Sequence, residues 1–258
     1  MPKFAANLTM LFTELDFLDR FGAAARVGFK GVEYLFPYDY EAAVLNEHLQ
    51  QHNLVQVLHN LPAGNWSAGD RGIGCHPDRV TEFQDGVGMA IDYATALGCK
   101  QVNCLAGIAP AGVPTERLHE TLVTNLKFAA EKLGAVSVAL LIEPINTIDI
   151  PGFFLSHSEQ ALKIIDEVGS KNLQLQYDIY HMQIMEGDLA RTLETNINVI
   201  RHMQLADNPG RHEPGTGEIN YGFVFKHLDS IGYQGWIGCE YKPLSSTEAG
   251  LDWVRPYL

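Results

Sequence analysis

Four residues that carry oxygen donors, Glu143, Asp178, Gln204 and Glu240, each close a short apolar run in the second half of the chain. The runs are Leu140-Leu141-Ile142, Leu175-Gln176-Tyr177, His202-Met203 and Trp236-Ile237-Gly238-Cys239, all of strand length. Three carboxylates and one amide make an oxygen-only donor set, which suits a hard divalent cation, Mg²⁺ or Mn²⁺, better than Zn²⁺. A single acid at a strand end commonly serves as a helix cap or a surface charge. Four such residues on successive strands converge only if those strands lie parallel in one closed sheet. Carboxylates buried that close repel one another unless a cation or protons intervene. The pattern therefore predicts a fold, a metal site and an acid–base reaction together.

The elements that must hold these residues are legible along the chain. Strands are expected at Phe4–Leu8, Gly31–Leu35, Leu54–Leu58, Gln101–Leu105, Val138–Glu143, Leu173–Asp178, His202–Gln204 and Trp236–Glu240. Helical patterns fall between them: one through Phe17, Leu18, Phe21, Ala24 and Ala25, then Glu41–Gln51, Asp78–Leu97, Thr115–Leu133, Ser158–Val168, Asp188–Val199, Tyr221–Ile231 and Thr247–Trp253. Gly28, Gly98, Gly134, Gly169 and Gly232 stand where helices stop, as a left-handed C-terminal residue should. Alternating strands and helices imply a parallel sheet. Eight units in 258 residues favour one α/β domain spanning residues 1–258, a single (β/α)8 TIM barrel, over an open sheet. No GxGxxG follows the first strand and no Gly-rich GK[ST] loop occurs, so no nucleotide cofactor is expected.

Composition bounds the partners. Net charge is −13 without a basic stripe, which argues against nucleic acid as a partner. Cys75, Cys99, Cys104 and Cys239 form no CxxC pair, and in a chain this large they read as reduced thiols rather than a disulfide or zinc framework. No apolar stretch approaches the roughly 18 residues needed to span a bilayer, and Met1–Asn7 lacks the marks of an export signal. The expectation is a soluble, cytoplasmic protein with no membrane partner; homo-oligomerisation is left open.

The segments Glu143-Pro144-Ile145-Asn146, Tyr177-Asp178-Ile179-Tyr180-His181, Gln204-Leu205-Ala206-Asp207-Asn208-Pro209 and Glu213-Pro214-Gly215-Thr216-Gly217-Glu218-Ile219-Asn220-Tyr221 resemble those of the hydroxypyruvate isomerase family. So do Cys239-Glu240-Tyr241-Lys242-Pro243, Phe36-Pro37-Tyr38 and His59-Asn60-Leu61-Pro62-Ala63-Gly64, and the similarity runs from about Phe4 to Tyr257. The wider group is the xylose-isomerase-like barrel superfamily. The resemblance implies that Glu143, Asp178, Gln204 and Glu240 ligate a divalent metal and that Glu143 and Glu240 exchange protons with the substrate. The implied reaction converts hydroxypyruvate to 2-hydroxy-3-oxopropanoate through an enediolate. Related readings on the same barrel are a 2-oxotetronate isomerase or a ketose 3-epimerase; more distant ones are an endonuclease IV-like phosphodiesterase and a non-catalytic sugar-acid binder.

A small anionic oxo acid needs cations or donors around it. His181 lies three residues past Asp178, in the loop expected after the sixth strand. Arg211 follows Gln204 by seven residues in a Gly/Pro-rich loop, where ketose epimerases of the superfamily carry a substrate-binding arginine. His59 ends the third strand and either faces the barrel mouth or packs as a core histidine, and Lys242 stands two residues past Glu240. The stretch Leu61–Pro77, with Gly64, Gly69, Gly72, Gly74, Trp66 and Arg71, is longer than ordinary βα loops and reads as a lid. His48, His52, His119 and His227 fall within helical patterns and read as packing or surface residues. Phe153-Phe154, Tyr38 and Tyr40 lie in βα loops, where they either wall the pocket or simply pack.

Overall fold

The computed structural model describes residues 2–258. Eight parallel strands form a closed barrel in chain order: β1 (Lys3–Asn7), β2 (Gly31–Glu33), β3 (Val55–Asn60), β4 (Gln101–Cys104), β5 (Ala139–Ile142), β6 (Leu173–Asp178), β7 (Ile200–Leu205) and β8 (Trp236–Cys239). Closure is direct, with Lys3, Phe4, Ala5 and Ala6 of β1 in register with Trp236 to Cys239 of β8. Around the barrel lie α1 (Asp19–Val27), α2 (Ala42–Gln51), α3 (Val80–Ala96), α4 (Thr115–Ala135), α5 (Ser158–Val168), α6 (Ile179–Met185), α7 (Leu189–Asn196) and α8 (Tyr221–Ser230). No helix is long and apolar enough to cross a membrane, among the described residues.

Two apolar clusters hold the fold. The larger runs between the strands' outer faces and the helices, with Phe4, Phe21, Leu45, Phe83, Leu126, Ile142, Tyr177 and Phe225 among its members. A separate small cluster, Ala5, Val57, Leu58 and Leu141 with half-buried Trp236, comes from the middle of β1, β3 and β5 and the start of β8. Beyond it the interior turns polar. Asn7, Glu33, Asn103, Gln176, His202 and Gln204 are all buried, and they stand toward the carboxyl ends of their strands. Space for Glu33 comes from Gly238 of β8, where a Cβ would overlap the Glu33 carboxylate.

The expected strands and helices recur with ends shifted by up to three residues, and three departures matter most. β2 stops at Glu33, two residues earlier than expected, so Glu33 is a strand-end residue rather than a mid-strand one. The helix expected over Thr247–Trp253 is replaced by two 3₁₀ turns, Glu248–Gly250 and Arg255–Tyr257. Gly250 and Pro256 interrupt any longer helical run there, and Trp253 and Tyr257 instead pack edge-on against Phe4 at 5.3 Å each. The third departure is α6, which follows β6 without a loop. Asp178 ends the strand and also caps this helix, its Oδ1 accepting the Tyr180 main-chain N–H at 2.8 Å.

Candidate active site

Glu143, one residue past β5, Asp178 and Gln204 on β6 and β7, and Glu240, one residue past β8, meet at the carboxyl ends of the strands, all buried. The register sets Asp178 beside Gln204. Donor atoms of Glu143, Asp178, His181 and Glu240 lie within 4.8 Å of one another. Glu143, His181, Gln204 and Glu240 line a cavity of about 530 Å³ open at its mouth, whose wall also includes Asn60, Trp66, Arg71, Ile145, Gln176 and Arg211, while Asp178 is fully buried beside them.

Crowding shows in the acid–base chemistry. Burial first, then the charges of Glu240 and Asp178, push the Glu143 carboxyl well above its ordinary value. Burial raises Asp178 to about 6 against the pull of Arg211, and raises Glu240 to about 8 although Arg211 again opposes. Three carboxyls that resist simultaneous ionisation need protons or a cation between them. Asp178 Oδ2 is buried with no hydrogen-bond partner, so it has a free acceptor aimed at whatever fills that position. The donor set and this orphaned oxygen fit a hard divalent cation.

The chain orients each donor from behind. Glu33, a buried carboxylate, accepts from Asn7 Nδ2 at 3.0 Å, His202 Nε2 at 2.8 Å and Gln204 Nε2 at 2.8 Å. A carboxylate only accepts, so it turns the Gln204 NH₂ inward and leaves Oε1 for the cavity side. Gln176 Nε2 takes one lone pair of that oxygen at 2.6 Å; the second stays open. Asn103 Nδ2 donates to Glu143 Oε2 at 2.9 Å and ties it to Asn60.

His181 sits in the first turn of α6 rather than in a loop, and it lines the cavity. Asn146 Oδ1 accepts the main-chain N–H groups of Ile148 and Asp149 at 3.1 and 2.7 Å, which fixes its amide so that Nδ2 faces His181 Nδ1 at 2.6 Å. The His181 proton therefore resides on Nε2, 3.6 Å from Asp178 Oδ2. Burial pushes the ring well below its usual range, so it stays neutral. It offers an N–H donor, which suits a substrate oxygen; Gln204 offers the acceptor that suits a cation.

Arg211 reaches the site from the β7–α8 loop. Asp207 gathers that loop, its two oxygens accepting main-chain N–H groups of Asn208, Gly215, Gly217 and Ile219 at 2.8–3.0 Å. Arg211 NH2 then donates to Glu240 Oε2 at 2.7 Å, NH1 stands 3.5 Å from Asp149 Oδ2, and the guanidinium lies 5.1 Å from the Tyr180 ring centroid. Burial opposes the guanidinium's charge, but Glu240, Asp178 and Asp149 outweigh it.

Two expected substrate contacts do not reach the cavity. His59 is fully buried outside it, edge-on to Tyr38 at 6.2 Å, and burial lowers its ring to about 4. Its neighbour Asn60 takes the cavity position, because adjacent strand residues face opposite ways. Lys242 is exposed: β8 has ended, and its main chain instead braces the Arg211 loop, N–H to Arg211 O at 2.8 Å and O from His212 Nδ1 at 2.7 Å. Glu33, Asn7, Asn103, Gln176 and Asn146 were not singled out from sequence. Glu33 and Asn7 end β2 and β1, the same signal that exposes the four donors, but the apolar pattern runs one or two residues past those ends; Asn103 stands one residue before the end of β4.

Residues 21–257 match the family model described as xylose isomerase-like TIM barrel, and the chain belongs to that family. It is similar to a protein named hydroxypyruvate isomerase from Escherichia coli (strain K12), 57% identical with 100% of both chains covered. A protein named 2-oxo-tetronate isomerase from Cupriavidus necator is 48% identical, covering 100% of this chain and 99% of the relative. A crystal structure described as AP endonuclease, family 2, from Brucella melitensis superposes with a TM-score of 0.98 at 46% identity, covering 100% of this chain and 99% of that one. An L-ribulose 3-epimerase, 22% identical with a TM-score of 0.77, covers 100% of this chain and 87% of its own and shares the fold. Within its barrel family the chain is a member of the hydroxypyruvate isomerase group, and it is an isomerase.

Proposed function

We propose that this chain interconverts hydroxypyruvate and 2-hydroxy-3-oxopropanoate by proton transfer between two carboxylates. The observation that carries the reading is the buried trio Glu143, Asp178 and Glu240 at the ends of β5, β6 and β8, with Arg211 against Glu240. Glu143, Asp178, Gln204 and Glu240 would hold one divalent cation, Mg²⁺ or Mn²⁺, which when bound polarises the substrate's oxygens and offsets the enediolate charge.

The protein's own groups account for the proton traffic. Conversion moves a proton from C3 to C2 and the O3 proton to O2, so nothing is gained or lost overall. Glu240, held against Arg211, enters as the carboxylate that takes the C3 proton. Glu143, which accepts from the neutral Asn103 amide rather than from Arg211, delivers the proton to C2. His181 Nε2–H donates to a substrate oxygen. The loop from 61 to 77 places Trp66 and Arg71 on the cavity wall, which supports its role as a lid that keeps water from the enediolate. A non-reacting substrate analogue is then expected to protect this loop from limited proteolysis; cleavage at an unchanged rate would remove the lid reading.

A 2-oxotetronate is the second substrate to weigh, supported by the relative of that name. A phosphodiesterase reading has less support, since the chain carries −13 net charge and Arg211 is committed to carboxylates. The test is a substrate panel followed by NMR in D₂O, with chelated and metal-restored protein. Hydroxypyruvate should lose C3 protons and yield the aldehyde. Turnover of the tetronate alone would move the assignment to the four-carbon acid, and no exchange with either would defeat it.

A further inference from the structure

The cavity holds a second guanidinium that the chemistry above leaves unused. Arg71 lines the wall from the 61–77 loop, partly buried, with its guanidinium 4.2 Å from the Trp66 ring centroid. Its NH1 donates to two main-chain carbonyls, Trp66 O at 3.1 Å and Asp70 O at 2.7 Å. No carboxylate pairs with it among the described residues. The adjacent Asp70 is turned away, its Oδ2 taken by Arg79 NH1 at 2.8 Å and Asn65 N at 2.6 Å. The edge formed by Nε and NH2 is therefore an open two-donor fork with an uncancelled charge, the geometry that matches a carboxylate.

The backbone fixes this group in place. Gly72, with φ of +106°, presses against Leu105 so closely that a Cβ would overlap its carbonyl, and its N–H donates to Ala63 O at 3.1 Å. Gly72 also bridges to Ala106, just past β4. On the other side, the Asp70–Arg79–Glu82 ion pairs anchor the loop to the start of α3. Trp66 in turn packs against Phe36, ring centroids 5.1 Å apart.

The cavity is thus polarised. Glu143 and Glu240, with Asp178 buried beside them, occupy one wall and Arg211 is spent on neutralising them, while Arg71 is a cation without an acid among the described residues. A short oxo acid has one end that is an anion and another that must reach the proton carriers. We propose that Arg71, stacked on Trp66, is the specificity-determining residue that binds the substrate carboxylate and so sets which carbons lie between Glu143 and Glu240. This rests on the small oxo-acid reading of the site.

The test compares Arg71→Gln and Arg71→Lys with the parent protein on hydroxypyruvate and on dihydroxyacetone, which replaces the carboxylate by CH₂OH. Binding of D-glycerate, a three-carbon acid with no carbonyl to isomerise, is measured alongside by calorimetry. Losing a charge-assisted fork should raise KM for hydroxypyruvate about 10–100-fold in Arg71→Gln and weaken glycerate similarly. Conversion of dihydroxyacetone should be unchanged, and Arg71→Lys should recover part of the loss. Unchanged KM and glycerate affinity would overturn the proposal, as would an equal loss on both substrates, which marks a loop-folding role. If the parent turns over neither acid but still binds glycerate through Arg71, the function fails and the anchor stands.

Discussion

Glu240→Gln is expected to abolish both isomerisation and solvent exchange at C3 of hydroxypyruvate, whereas Glu143→Gln abolishes isomerisation but keeps part of the exchange. The asymmetry comes from what each carboxyl touches. Arg211 NH2 lies 2.7 Å from Glu240 Oε2 and favours its charged form. Glu143 has Asn103 Nδ2 at 2.9 Å, a neutral donor, and feels the charges of Glu240 and Asp178. A base is needed before an acid, so removing Glu240 stops the first proton transfer, while removing Glu143 stops only the return at C2. Each transfer by a positioned carboxyl is worth roughly 10²–10⁴-fold, so kcat should fall by at least about 10² in either variant. Gln keeps the shape of Glu, and circular dichroism should show an unchanged fold. Equal exchange in the two variants would sink the division of roles, and near-parent turnover in the folded double variant would sink the pair altogether.

Chelation is expected to remove activity, and Mg²⁺ or Mn²⁺ to return it, with a pH signature that follows from burial. In the metal-free chain Asp178 rises from an ordinary 3.8 to about 6 and Glu240 from 4.5 to about 8. The folded state then retains protons that the unfolded chain has lost. Stability from these groups is complete below about pH 4 and is lost as pH climbs through about 6 and then about 8. The melting temperature of chelated protein should fall across that window. Metal should flatten the fall, because the cation replaces the protons, and its uptake at neutral pH should release protons to the buffer. Full activity after chelation, or a melting profile that metal leaves unchanged, would contradict the donor assignment.

Much of this was legible in the linear chain because a parallel barrel follows simple rules. Apolar runs of strand length, helical spacings and glycine stops suffice to give eight units, and a polar residue that ends a run must then lie at the active end. Glu143, Asp178, Gln204 and Glu240 follow from that logic alone; the structure puts Glu143, Gln204 and Glu240 on one cavity wall, with Asp178 buried beside them. Boundaries were harder. Glu33 and Asn7 obey the same rule, yet neighbouring residues Leu8 and Tyr34-Leu35 extend the apolar pattern past the true strand ends, and Asn103 lies inside β4, before Cys104. α6 was hidden because Asp178 serves strand, site and cap at once, with no breaker residue to mark the change.

Composition and spacing determined that carboxylates meet at one end of a closed sheet, since strand direction and period leave them no other place. Only the tertiary structure decided which cations face them. His59 and Asn60 differ by one position and point to opposite sides of β3, and Lys242 lies beyond the end of β8, where the alternation no longer holds. Arg211 and Arg71 come from loops whose course is set by distant contacts, the Asp207 carboxylate collecting N–H groups as far away as Ile219 and the seat of Gly72 on Leu105. Loop side chains have no period to read. Their direction is fixed by which hydrogen bonds and close approaches become available once the barrel has closed.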